Sequence, residues 1–409
     1  PDTIVVYVLD ALRADFVGHL GSDVGATPCI DRLAAEGGVF VDHFSVAPNT
    51  GPATKSLFTG FGFLRGRSIP DDVPTLAEAF TDLGYRTVSI SSNPHLSRSF
   101  GLTRGFSDVL FEPIEEEFRA GGDREPTVND SAERVHRAAL EWLDGVGHED
   151  RVFLYIHTLN PHNPYTPPEP FPSMFLESEG STIDAGTGTL AAIRDLELAI
   201  TPEDERRIRE WYTAGVAYND AELCAFVADL ERRFGDDFLL VVTSDHGEEL
   251  FDHRGVLHGY TLYDELLHVP LVMWWPARIP PVRIERTTGT LDLVAALQAL
   301  TAADSTEVSE GSTTDLWAVL AGDGDTPLGG FLHFATAPGL RRAAMVRSSQ
   351  WKLVLVPRPR FAWGMGKGRG RTHDAEYLFD LIADPEERIN RAGVNALEVD
   401  WLRSRLQGW

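Results

Sequence analysis

The sequence predicts an α/β protein with a largely parallel central sheet, helices on both of its faces, and a small C-terminal α+β subdomain. Three observations carry this. Short apolar runs rich in β-branched residues recur at strand length, helical patterns lie between them, and after Arg341 the alternation gives way to closely spaced short strands.

The runs at residues 4–9 (IVVYVL), 87–90, 152–156, 238–243 and 271–274 are continuously apolar, as strands covered on both faces tend to be. Helical patterns occupy residues 30–36, 75–83, 130–143 and 202–234. Asp130 or Ser131 is placed to cap the third, and Thr201-Pro202-Glu203 has the form of a helix start. This order of elements favours βαβ crossovers. Beyond Arg341, strands are expected at residues 343–346 and 351–356, then a Gly/Arg-rich stretch at 364–371 and a helix after Asn395. The division expected is a catalytic domain of residues 1–335 and a subdomain of residues 336–409. Residues 171–199, poor in apolar periodicity, read as a long surface loop, either a lid or a tolerated insertion. No internal repeat is visible.

The bulk properties exclude several classes. At 409 residues with 43% hydrophobic content the chain can bury a substantial core. No apolar run approaches the roughly 18 residues that cross a bilayer. A net charge of -26 repels nucleic acid and anionic membrane, so an anionic substrate would need local positive charge, such as a metal. Lysine is confined to Lys55, Lys352 and Lys367, which suggests a high-GC genome or a salt-adapted host. Cys29 and Cys224 match no metal-binding spacing and read as two small buried residues. A cytoplasmic location is expected, with export left open because Pro1 runs directly into a strand. The oligomeric state is not legible.

Asp10 follows the first strand and Asp245-His246 follow the strand at 238–243, so all three should emerge at the carboxyl edge of the sheet, where open α/β sheets bind ligands. Carboxylates and an imidazole converging there point to one divalent cation rather than two, of the Mn, Zn, Mg or Ca type. Asp220 is the candidate ligand for a second ion, with a structural role preferred. In Asn49-Thr50-Gly51-Pro52, an N-cap and a first-turn proline precede a helix at residues 53–58. Thr50 would then sit at the helix's positive end, where a metal and the dipole can ionise its hydroxyl, unless it is simply a cap. His162, in the loop NPHNPY, is placed to assist a leaving group. His157 and His268 read as structural.

LDALRAD (residues 9–15), TPCIDRLAAEG (27–37), TGPATKSLFTG (50–60), NPHNPY (160–165), SDHGEE (244–249), HVPLVMWWP (268–276) and YLFDLIADPEERIN (377–390) together resemble the sulfatase family of the alkaline phosphatase superfamily. The resemblance implies metal ligands at Asp10, Asp245 and His246, a nucleophile at Thr50 that also faces the metal, and contacts to the transferred or leaving group from His162 and His258. Asn93 and His253, with Lys55 as partial substitute for a missing arginine, fall where substrate is bound.

The departures bear on chemistry. Sulfatases carry Cys or Ser at the nucleophile position, matured to formylglycine, whereas threonine, a secondary alcohol, can yield only a ketone. Ala11 replaces a second acidic residue, and Ser92-Asn93-Pro94-His95 replaces a Lys-x-His pair. The expected activity is metal-dependent hydrolysis of a small phosphate or phosphonate ester, phosphodiesterase-like. The alternatives are a sulfatase working without formylglycine and a noncatalytic metal-binding homologue.

Overall fold

The computed structural model describes residues 1–62, 64, 66–112, 128–147, 149–177, 179–301, 314–322, 332–335, 343–356 and 375–406. Eight strands make the central sheet: β1 (Thr3–Leu9), β2 (Gly38–Phe40), β3 (Arg86–Ser91), β4 (Asp108–Phe111), β5 (Val152–Thr158), β6 (Leu239–Thr243), β7 (Leu271–Trp274) and β8 (Val282–Ile284). Their order across the sheet is β8-β2-β7-β6-β1-β5-β3-β4. Only β7 runs against its neighbours. The five long runs seen in the sequence are the five strands β1, β3, β5, β6 and β7. The other three, each of three or four residues, are too short to show a period and are specified by their neighbours.

Alternation along β1 assigns the two faces. Val5, Tyr7 and Leu9 join a core with Ile30, Leu33, Val135, Tyr212 and Phe226. These come from the helices Pro28–Glu36, Ser131–Asp144 and Pro202–Phe234. Ile4, Val6 and Val8 face the other way, against Leu76 and Phe80 of Leu76–Asp82 and Leu293 and Leu297 of Thr290–Ala299. No residue of β1 has a water-facing side, which is why its sequence is apolar without interruption from Ile4 to Leu9. With roughly 1.5–3 kcal/mol for each fully buried large aliphatic side chain, this strand is held by both layers at once.

Local signals agree with the helix ends. Thr201 and Asp204 form a reciprocal capping box on Pro202–Phe234, and Thr75 and Glu78 form one on Leu76–Asp82. Asp130 occupies the N-cap position of Ser131–Asp144 without capping it; its carboxylate is taken by Arg134 at 2.7 Å. Residues 171–199 are not the structureless loop the sequence suggested. They include the helices Phe171–Phe175 and Thr187–Arg194. Buried Ala185, Leu190 and Ile193 tie the second to the main core, an anchoring too sparse to read as a period.

A second, antiparallel sheet takes the strands Leu332–Ala335, Ala344–Arg347, Trp351–Val356 and Ala375–Asp380 in that order. Its first strand lies ahead of residue 336, where the subdomain was expected to begin. The helix Ala396–Leu406 covers it through Val399 and Leu402. The Gly/Arg-rich stretch at 364–371 lies outside the described residues. Fully buried Lys352 fastens this sheet to the main body, 2.7 Å from both Asp264 and Glu387. Arg347 pairs with Asp264 at 2.6 Å and lies 4.0 Å over the Phe44 ring.

Candidate active site

Parallel register aligns the strand ends. Leu9 pairs with Thr158, and Val8 with Thr243, so Asp10, the NPHNPY loop and Asp245-His246 leave the sheet at one edge. The Asp10 N–H donates to the Thr158 carbonyl at 3.1 Å, and the His162 N–H to the Asp10 carbonyl at 3.1 Å. Ala11 takes a left-handed φ of 63°, rare for a residue with a Cβ. The turn is held by Tyr212, whose hydroxyl donates to the Ala11 carbonyl at 2.7 Å. At Gly247 a Cβ would fall 2.0 Å from the Glu265 carbonyl oxygen, so only glycine lets the Asp245–Glu248 backbone run against the segment before His268.

Asp10, Asp245 and His246 are buried and present one ligand atom each within 4.8 Å of one another. His246 Nδ1 lies 2.8 Å from the Gly247 carbonyl, an acceptor only, so Nδ1 carries the hydrogen and Nε2 offers its lone pair to the cluster. Nε2 is 3.6 Å from Asp10 Oδ1 and 3.5 Å from Asp245 Oδ2. Those two carboxylate oxygens are buried without a hydrogen-bond partner. Two orphaned anionic oxygens facing an imidazole lone pair fit a divalent cation, and the mixed O/N donor set suits Mn, Zn, Mg or Ca.

Thr50 is the first residue of the helix Thr50–Thr59, one turn longer than expected, which ends at left-handed Gly60. Asn49 holds the N-cap position but makes no side-chain cap. The described hydrogen bonds of the Thr50 hydroxyl are to side chains, not to the helix backbone. Its Oγ1 lies 3.2 Å from His246 Nε2 and 3.4 Å from Asn93 Nδ2. Asn93 also donates to Asp10 Oδ2 at 2.6 Å, linking the Thr50 hydroxyl to that carboxylate.

His157, read as structural from its place inside a strand, lies against the cluster. Its Nε2 lies 3.0 Å from Asp10 Oδ2, and its Nδ1 is 2.8 Å from the Tyr155 hydroxyl. Burial would lower its pKa, but the Asp10 carboxylate raises it overall. In turn, Asp10 is held well below the usual carboxylate range: burial opposes ionisation, and His162, His157 and His246 outweigh it. His268 does serve the framework, stacked on Phe44 with Nε2 2.8 Å from the Val41 carbonyl.

His162 and His258 stand over the cluster. Their rings are 4.8 Å apart, and His258 is 4.3 Å from His246. His162 Nδ1–H donates to the Asn163 carbonyl at 2.6 Å. His258 Nδ1 faces Glu248 Oε1 at 2.9 Å. Glu248, fully buried, is kept below the ordinary carboxylate range because His258, His162 and His246 outweigh the cost of burial. The sequence carried no signal to separate Glu248 from Glu249. The latter accepts from the Gly255 N–H at 2.7 Å and is pushed up to about 7, chiefly by burial.

The remaining predicted residues lie elsewhere. Lys55 Nζ donates to the carbonyls of Leu64 at 2.8 Å and Gly66 at 2.6 Å, bracing a loop. His253 stacks on Tyr263 and pairs with Glu265 at 2.7 Å. Asp220 receives the N–H groups of Cys29 and Ile30 at 2.8 and 2.9 Å, so it serves the start of a helix. His95, assigned no role from sequence, borders the start of the Thr50 helix: a Cβ on Gly51 would sit 3.6 Å from its Nδ1.

The family model "Sulfatase" matches residues 2–303, about three quarters of the chain. The chain belongs to the sulfatase family. As a member it is a hydrolase of ester bonds, and among its relatives the names divide between sulfur and phosphorus. A Delta 4,5-hexuronate-2-O-sulfatase of Bacteroides thetaiotaomicron is 25% identical over 94% of this chain and 83% of its own. The multifunctional alkaline phosphatase superfamily protein PehA of Trinickia caryophylli is 25% identical over 66% of this chain and 67% of its own. In fold, this sulfatase-family chain superposes on the phosphonate monoester hydrolase of Agrobacterium radiobacter with a TM-score of 0.78, at 21% identity, covering 99% of this chain and 95% of the other. No described helix is long and apolar enough to cross a membrane.

Proposed function

We propose that this chain hydrolyses singly charged phosphorus esters, phosphodiesters or phosphonate monoesters, with Thr50 as nucleophile. The observation that carries the reading is the Thr50 hydroxyl at a helix start, held by Asn93 and facing His246 in a cluster whose described ion pairs contain only histidines. With no lysine or arginine among those pairs, the site favours an ester carrying one negative charge over a doubly charged phosphate. Threonine excludes formylglycine, whereas phosphothreonine is open to hydrolysis at phosphorus.

A divalent cation held by Asp10, Asp245 and His246, with Thr50 facing it, would supply positive charge that acidifies a nearby hydroxyl and offsets charge on the ester oxygens. Asn93 orients Thr50 Oγ1. The oxygen gives up its proton to solvent water as it attacks phosphorus, the bond to the leaving oxygen breaks, and a proton reaches that oxygen from the Nε2 of His258, whose ring Glu248 aligns. His162 Nε2, left over by the Nδ1 bond to Asn163, is a second proton carrier at the same face. Water then attacks the phosphothreonine with the proton steps reversed.

The test is a panel of aryl phosphate monoester, bis-aryl phosphodiester, aryl phosphonate and aryl sulfate, assayed with added Mn²⁺ and after chelation. Diester or phosphonate should be turned over fastest, with a phosphate adduct on Thr50 by mass spectrometry of quenched reactions. Preferred turnover of the sulfate, or full activity in Thr50→Ala, would overturn the proposal.

A further inference from the structure

The chain has two cysteines, far apart in sequence, and the fold brings them together. Cys29 lies in the first turn of the helix Pro28–Glu36 and is buried; Cys224 lies on the long helix Pro202–Phe234 and is exposed. Asp220 sets the contact. It sits one turn before Cys224 on the same helix face, and its two carboxylate oxygens take the N–H groups of Cys29 at 2.8 Å and Ile30 at 2.9 Å. The start of the short helix is thereby fixed against the long one at the level of Cys224, and the Cys29 thiol lies within hydrogen-bond reach of the Cys224 sulfur.

The two thiols are not equivalent. Burial, then the adjoining Cys224, push the Cys29 thiol up, so it stays protonated. Cys224 is open to solvent, where an oxidant can reach it.

We propose that Cys29 and Cys224 are an intrachain disulfide site, with Cys224 the residue attacked by oxidant and Cys29 the resolving thiol. With a hydroperoxide, the Cys224 thiolate takes the terminal oxygen, the O–O bond breaks, and the alcohol or water departs, leaving a sulfenic acid. Cys29 sulfur then attacks Cys224 sulfur; the S–O bond breaks, and hydroxide leaves with the Cys29 proton as water. Two thiols are oxidised, one peroxide is reduced, and two hydrogens are lost. The bond would tie together two helices on one face of the sheet. The longer of them carries Tyr212 and Asn219, which hold the Ala11 carbonyl and the Thr158 and Asn160 oxygens beside the site. The ring so closed contains most of the catalytic domain, so the constraint on the unfolded chain is large.

The full chain is treated with hydrogen peroxide or with reductant, and the products are read by intact mass, by thiol titration in denaturant and by non-reducing peptide mapping. Expected are the loss of two hydrogens, a fall from two titratable thiols to none, a Cys29–Cys224 cross-linked peptide, and a melting temperature several degrees above that of the reduced protein, all reversed by reductant. Cys224→Ser, a surface change, should abolish the mass loss. Cys29→Ser should leave a sulfenic acid on Cys224 or a dimer joined through it. Two thiols still titratable after oxidation, further oxidation of Cys224 without the cross-link, or only intermolecular disulfides in the wild-type chain would overturn the proposal.

Discussion

Thr50, Asp10 and His157 form a short chain of dependence in which each side chain has a different task. Thr50 Oγ1 is the reacting atom of the proposed chemistry. Thr50→Ala should lower kcat on the order of 10³-fold or more while Mn²⁺ binding, followed by calorimetry, persists, because three of the four groups facing the ion remain. His157 Nε2 lies 3.0 Å from Asp10 Oδ2 and meets Thr50 in no described contact. His157→Ala should therefore weaken metal affinity about 10–100-fold, with activity restored by excess metal, as expected of a group that orients a ligand. Glu248→Gln removes the charge that holds His258. Its rate loss, on the order of 10²-fold, should appear with alkyl leaving groups and shrink with nitrophenyl ones, which need no proton. Equal losses for both would show that Glu248 only supports the fold.

At the scale of elements, the helix starts and the two-stranded ribbons give measurable consequences. The capping box of Thr201 and Asp204 begins a helix that runs from Pro202 to Phe234. Thr201→Ala should cost about 1 kcal/mol in urea unfolding without changing kcat, since the box lies far along the chain from the residues this helix sends to the site. His43, in the ribbon His43–Phe44 with Thr288–Gly289, is buried with Nδ1 2.9 Å from Thr288 Oγ1. Burial, with His268 as a second cause, lowers its pKa from 6.5 to about 3. Between those values the unfolded chain binds a proton that the folded chain refuses. The stability His43 contributes is complete above pH 6.5 and is lost as pH falls toward 3, at up to about 1.4 kcal/mol per pH unit. Unfolding curves of wild type and His43→Gln across this window should converge as pH falls; parallel curves would show that His43 accepts its proton in the fold.

For the whole molecule, the joint between the main body and the C-terminal sheet combines a hydrophobic cluster with a buried ionic one. Lys352 has no exposed surface and meets Asp264 and Glu387, and Glu387, mainly through burial, is pushed up to about 7. Removing the ammonium leaves Glu387 buried and unpaired. Lys352→Met should destabilise the protein by about 3–5 kcal/mol. Asp264 also begins the segment that packs on Gly247 and leads to His268, so proteolysis of the C-terminal sheet should increase together with loss of metal affinity. Loss of the sheet with the metal site unaffected would show the two parts to be independent.

The sequence by itself determined the five long strands, the four helices among them and the convergence of Asp10, Asp245 and His246 at one sheet edge. These follow from local periodicity and from strand polarity, which the chain writes residue by residue. The proposed departure from formylglycine chemistry rests on a single side chain, the threonine at position 50. Only the tertiary structure decided which neighbours serve the site. His157 became a partner of Asp10 because β1 and β5 lie side by side in register, and Glu248 parted from Glu249 because one points to His258 and the other to the Gly255 backbone. Lys55, midway along the helix Thr50–Thr59, was drawn to loop carbonyls instead. The three short strands, the anchoring of residues 171–199 and the meeting of Cys29 with Cys224 were likewise set by packing between elements distant in sequence, for which a single chain carries no local period.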